Sequence, residues 1–278
     1  MRCAQPLARW RAGPRRWPLL TLGTTSARAL TRRPAQVFDE TFSQYGARAF
    51  GISGDRTQHL LWRIQNGELQ FRHAPEVVCI CVGTNNIGRD GDGADDTYLG
   101  IYSIIQEVLH RLPGTRILLP GVLPRGPGAT PGAEASLLPG APGVSASYEF
   151  TQNKSVAAPD VSKFGQPGLF TPTIHEVNRR LKALADGSNG AITFCDCEAV
   201  FLAPGGASIV PSLMRDALHP TAKGMTAWFK VLKPKLLQVA SQPESTHADA
   251  VVSHAAHAEA VAAAAEAVAA AAKPRAKL

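Results

Sequence analysis

Strand and helix signals alternate along this chain and predict a three-layer α/β sandwich built on a parallel sheet. Two observations carry that expectation. Val77 to Val82 is apolar throughout, as a strand covered on both faces must be. Ile101, Ile104, Ile105, Val108, Leu109 and Leu112 recur at the spacing of one helical face.

The remaining elements fall in order around these two. Ala47 to Ile52 reads as a short strand. Leu60, Leu61 and Ile64 begin a helix that ends near Asn66-Gly67. The helix carrying Ile101 can be capped by Asp95 or Asp96 and is stopped by Pro113. Ile117 to Leu119 is the next strand. Thr173 and Glu176 form a capping-box pattern before Ile174, Val177, Leu181 and Leu184. Ala191 to Phe194 is a further strand. Thr221 to Gln238 is a last helix, with Trp228, Val231 and Leu232 inward and Pro234 late.

At 278 residues the chain holds one well-buried domain of about 200 residues plus tails. The net charge of +7 is unevenly placed. Eight Arg and no acidic residue precede Asp39, so the body is close to neutral and shows no basic face for nucleic acid. No run approaches the roughly 18 apolar residues of a membrane span. Cys79 and Cys81, like Cys195 and Cys197, are two apart, which is not a zinc or redox spacing. They read as buried thiols acting as small hydrophobes in a reducing compartment.

Three segments stand apart. Residues 1–36 are Arg-rich and transit-like, or disordered, or contain a degenerate first strand at 17–26. Residues 123–170 form a Pro/Gly-rich insertion into the 37–238 domain, read as disordered rather than as a lid. Residues 239–278 are an Ala-rich tail in which His247, His254 and His257 read as solvated residues rather than metal ligands. The chain ends Ala276-Lys277-Leu278, which is similar to the peroxisomal address Ser-Lys-Leu and implies an import receptor as partner. The alternatives are the cytoplasm, or a mitochondrion or plastid addressed by the Arg-rich start.

Chemistry-bearing residues gather at strand ends, where open α/β sheets place their sites. Gly51-Ile52-Ser53-Gly54-Asp55 follows the first of these strands and Gly83-Thr84-Asn85-Asn86 the second. Asp216-Ala-Leu-His219-Pro220 precedes the last helix. Acyl transfer needs a base, a carboxylate to orient it, and donors for the oxyanion. His219, Asp216, the Gly54 amide and the Asn85 side chain have the right chemistry for these roles. Singly, each motif is equally a turn or a helix entry; in this order, with helices between, they are far more specific.

These blocks resemble the SGNH, or GDSL-type, hydrolases, and among them the catalytic subunits of platelet-activating-factor acetylhydrolase. The resemblance rests on Phe50 through Leu69, on Val82-Gly-Thr-Asn-Asn86, on Leu123-Pro-Arg-Gly126 and on Asp216 through Gly224. It implies a flavodoxin-like α/β/α sandwich with no metal or cofactor. It implies Gly54 and Asn85 as oxyanion donors, His219 as base and Asp216 as its partner. It also implies a nucleophilic Ser in a Gly-Asp-Ser block, which is missing. The remnant is Leu19-Leu20-Thr21-Leu22-Gly23-Thr24-Thr25-Ser26, an apolar run ending in Gly and then hydroxyl residues. Ser26 is the candidate nucleophile, ahead of Thr25.

The expected function is hydrolysis of short, acetyl-like esters through an acyl-enzyme. The alternative is an inactive relative that binds ligand or pairs with an active subunit. A homodimer or a heterodimer with a related subunit is the implied assembly.

Overall fold

A computed structural model describes residues 19–23, 32–126 and 161–242. Ser26, Thr25, the tail histidines and Ala276-Lys277-Leu278 lie outside the described residues.

Among the described residues, five strands form one parallel sheet: β1 (Leu19–Gly23), β2 (Arg48–Ala49), β3 (Val77–Cys81), β4 (Arg116–Pro120) and β5 (Ile192–Cys195), in the order β2-β1-β3-β4-β5. The apolar run before Gly23 is therefore a strand inside the sheet, in register with β3 from Leu19 opposite Val77 to Gly23 opposite Cys81. The strand expected over 47–52 is shorter. Only Arg48 and Ala49 pair, at the sheet edge, because the chain then turns away at Phe50.

Among the described residues, five α-helices cover the sheet: α1 (Arg32–Phe42), α2 (Thr57–Arg63), α3 (Ala94–Arg111), α4 (Thr171–Asp186) and α5 (Ala222–Ala240). Alternation along β3 shows how both faces are closed. Val78 and Ile80 join one core with Leu60, Ile104, Ile105, Val108, Val177 and Leu181 from α2, α3 and α4. Val77 and Cys79 join the other with Phe38 and Phe42 from α1 and with Trp228, Phe229 and Leu232 from α5. In the second core the Phe42 and Phe229 rings meet edge-on at 4.9 Å. Cys79, Cys195 and Cys197 are buried free thiols there, and burial pushes the Cys81 thiol up to about 12, far from reactivity.

Several local expectations are corrected. Gly93, in extended conformation, precedes α3; Asp95 and Asp96 lie in its first turn, where they meet the helix dipole without capping. Phe170 precedes α4, so Thr173 is inside the helix and Glu176 bonds Arg179 and Arg180 instead. Thr171, which begins that helix, is bound to the turn before it: its hydroxyl accepts from the Gly168 amide at 2.8 Å and donates to Gln166 Oε1 at 2.6 Å. Val231 is 37% exposed, not inward, whereas Trp228 and Leu232 are buried as expected. Helix α1 had no counterpart in the sequence reading. Parts of the 123–170 insertion also pack: Arg125, Phe164 and Phe170 are buried, while residues 127–160 lie outside the described residues.

The far end of α5 is anchored by Arg116 at the start of β4. Its guanidinium donates to the carbonyls of Ala240 and Gln242, satisfying acceptors a helix end leaves open. Among the described residues no helix is long and apolar enough to cross a membrane.

Candidate active site

The site is built from three loops at the carboxyl ends of the strands. The first carries Gly54. Asp55 N donates to Ile52 O at 3.2 Å, closing a turn whose third residue, Gly54, has φ +84°. That conformation suits a residue with no Cβ, which explains glycine here. Arg63 of α2 staples the turn. It bonds the Phe50 carbonyl at 3.0 Å and the Asp55 carboxylate at 2.7 Å. It also pairs with Glu68, whose carboxyl is pushed up to about 7, chiefly by burial and against the pull of Arg63.

The second loop carries Asn85. The chain leaves β3 through Gly83, at φ +116°, where a Cβ would press on Thr97 and Ile101. Asn85 Nδ2 donates to Asp55 O at 2.9 Å, so the two predicted oxyanion loops touch. An amide nitrogen has two hydrogens, and this bond uses one. Asn86 beside it is buried and locks the same junction. Its Oδ1 accepts from Thr57 N at 3.0 Å, and its Nδ2 donates to Asp92 at 2.9 Å.

The third loop carries the base. His219 Nδ1 lies 2.6 Å from Asp216 Oδ2, and Asp216 Oδ1 accepts from the His219 and Leu218 amides at 2.8 and 3.1 Å. Burial alone would raise the Asp216 pKa, but these bonds from His219 and Leu218 outweigh it and hold the carboxyl below its ordinary range. The loop turns tightly through Ala217, at φ +59°. It is tied to α5 by the Thr221 amide, which donates to Leu213 O at 2.8 Å, and by the Thr221 hydroxyl, which accepts from Gly224 N at 3.1 Å.

Arg125 joins the second loop to the third, a role sequence reading missed. It was visible only as part of Leu123-Pro-Arg-Gly126 after β4. The segment is steered inward by Asn178 of α4, whose side chain bonds both Val122 N, at 2.7 Å, and Val122 O, at 2.9 Å, as a neighbouring strand would. Arg125 is 4% exposed. Its Nη1 donates to Thr84 O at 2.6 Å and reaches Thr84 Oγ1 at 3.2 Å, while its guanidinium lies 4.8 Å over the Phe170 ring. Burial lowers its pKa to about 10, opposed by the charge of Asp216. The next residue, Gly126, donates its amide to Ala217 O at 2.8 Å, inside the third loop.

The structure thus joins Asp55, the residue after Gly54, to Asn85, and Asp216 to His219, and links these halves through Arg125-Gly126. Ser26 lies three residues beyond Gly23, the last residue of β1. Among the described residues no group of three or more His, Cys, Asp or Glu is placed to hold a metal ion.

The family model for GDSL-like lipases/acylhydrolases matches residues 17–227, which takes in β1 and all three loops. The chain belongs to this family. Among curated relatives, it is 45% identical over 91 residues to the alpha1 subunit of platelet-activating factor acetylhydrolase IB from Bos taurus and Homo sapiens. The human alpha2 subunit is 42% identical over the same length. The matched stretch is 33% of this chain and spans 38% of the length of these relatives. Among solved structures, a GDSL-like lipase from Bacteroides thetaiotaomicron superimposes with TM-score 0.57 at 18% identity, over 80% of this chain and 88% of that one. A lipolytic protein of the G-D-S-L family from Veillonella parvula gives TM-score 0.52 at 14% identity, over 78% and 96% of the two chains. These neighbours establish the fold as the three-layer α/β/α sandwich of this family.

Proposed function

We propose that this protein is an esterase that hydrolyses short, acetyl-like esters by way of an acyl-enzyme. The carrying observation is the 2.6 Å bond between His219 Nδ1 and Asp216 Oδ2. With Asp216 ionised, that bond places the ring proton on Nδ1 and leaves Nε2 as the proton acceptor. His219 takes the proton of the attacking hydroxyl and later returns it to the leaving alcohol. The Gly54 amide and Asn85 Nδ2 stabilise the tetrahedral oxyanion. Ser26, three residues after Gly23 in the sequence, is the proposed nucleophile. The acetyl preference rests on the likeness to the platelet-activating factor acetylhydrolase subunits.

Fluorophosphonate labelling of the purified protein, followed by peptide mapping, tests the proposal. Covalent label on Ser26, with hydrolysis of p-nitrophenyl acetate abolished by His219→Ala, is the expected result. Absence of both label and turnover overturns it. That result would favour the second reading, a non-catalytic relative, which rests on Thr24-Thr25 standing where the family's Asp-Ser follows the strand glycine.

A further inference from the structure

We propose that Arg125 is a positioning residue for this site, one that holds the oxyanion loop and the base loop in register with each other. This rests on the esterase reading above and deepens it. Three observations converge on the guanidinium. It is bonded to Thr84, the residue immediately before Asn85, through both the carbonyl and the hydroxyl. It fills the space above Gly88, where a Cβ would stand 1.9 Å from Cζ, and is covered on another side by the Phe170 ring. The Asp216 carboxylate acts on it, holding its pKa up against the lowering effect of burial.

The backbone completes the link. Gly126 N bonds Ala217 O at 2.8 Å, and Arg125 Nε donates to Gly126 O at 3.2 Å. Gly126 is closely packed on this side: a Cβ there would lie 2.1 Å from Lys163 O and 3.0 Å from the Ala217 Cβ. A movement of Thr84 is therefore transmitted through one side chain to the peptide between Asp216 and His219. Burying a guanidinium is costly unless its bonds are made. A planar fork with several donors suits a junction of two loops, where a lysine would supply one point contact.

As a positioning residue, Arg125 acts through Thr84 and Gly126. Its effect is on geometry, and a misplacement of about 1 Å between base and oxyanion donors costs roughly 10²-fold in rate. Two variants and two readouts test it. On p-nitrophenyl acetate, Arg125→Met is expected to lower kcat about 100-fold and Arg125→Lys about 10-fold, both with KM within about threefold of the parent. By hydrogen exchange, the amides of Gly126, Leu218 and His219 are expected to exchange at least about 10-fold faster in Arg125→Met, with the β3 amides unchanged and Arg125→Lys in between. Both variants keeping the parent kcat and exchange pattern would overturn the inference. So would a rise in KM at constant kcat, which would make Arg125 a substrate-binding group. If the parent protein has no turnover, the esterase reading falls and the exchange measurement alone decides this one. If Arg125→Met does not fold, Arg125→Lys is judged against the same limits.

Discussion

Gly88 faces the Arg125 guanidinium so closely that a single added methyl group would overlap it, at 1.9 Å from Cζ. Arg125 is buried and bonded to Thr84, so it has little freedom to retreat. Gly88→Ala is expected to lower stability by about 1–3 kcal/mol, the ordinary cost of overpacking. A shift of the urea midpoint to lower concentration at unchanged slope would show it.

The Asp216–His219 pair sets a second expectation. Asp216→Asn keeps the size of the side chain but replaces an ionised acceptor with an amide. The expected loss in kcat is about 10⁴-fold, as when the third member of a serine triad loses its charge. The carboxyl is held below its ordinary range in the folded state. Its contribution to stability is therefore present above the unfolded carboxylate value and lost as pH falls through the lower folded one. Acid titration of stability should show this loss in the parent and not in Asp216→Asn.

Glu68 behaves in the opposite sense. Burial raises its carboxyl to about 7, with Arg63 pulling it down and Asp55 pushing it up. The folded state holds this proton more tightly than the unfolded chain. The stability it contributes is full below the unfolded value of 4.5 and is lost as pH rises through about 7. Glu68→Gln should flatten that decline, and Tm measured at pH 5 and pH 8 should differ less in the variant than in the parent.

Asn85→Ala removes a proposed oxyanion donor and also frees the Asp55 carbonyl. The expected fall in kcat is about 10²–10³-fold. Steady-state rates on p-nitrophenyl acetate, read beside an unchanged thermal midpoint, would separate lost chemistry from lost folding.

Much of the architecture was legible because burial on both faces writes itself into Val77 to Val82 and into the Ile101 to Leu112 period. The Asp216–His219 bond was legible because three residues around a tight turn leave few other partners. Other features depend on distant contacts. Helix α1 begins at the end of the Arg-rich segment, and its Phe38 and Phe42 pack on Phe229 of the distant helix α5. Thr173 looked like a cap because sequence cannot show that Phe170 already precedes the helix and that the Thr171 hydroxyl is bound to the turn at Gln166. The role of Arg125 is not legible in the sequence, since nothing local reveals that a charged side chain after a strand end is buried between two loops.

The stem of the 127–160 excursion has a practical consequence. The chain departs at Gly126 and is back by Lys163, whose carbonyl would lie 2.1 Å from a Cβ on that glycine. The two described ends of this segment, Gly126 and Lys163, are therefore in close contact. The entropic cost of closing such an excursion rises only slowly with its length. A peptide grafted between these two ends, or a shortening of the segment, is therefore expected to change the loop-closure entropy only slightly.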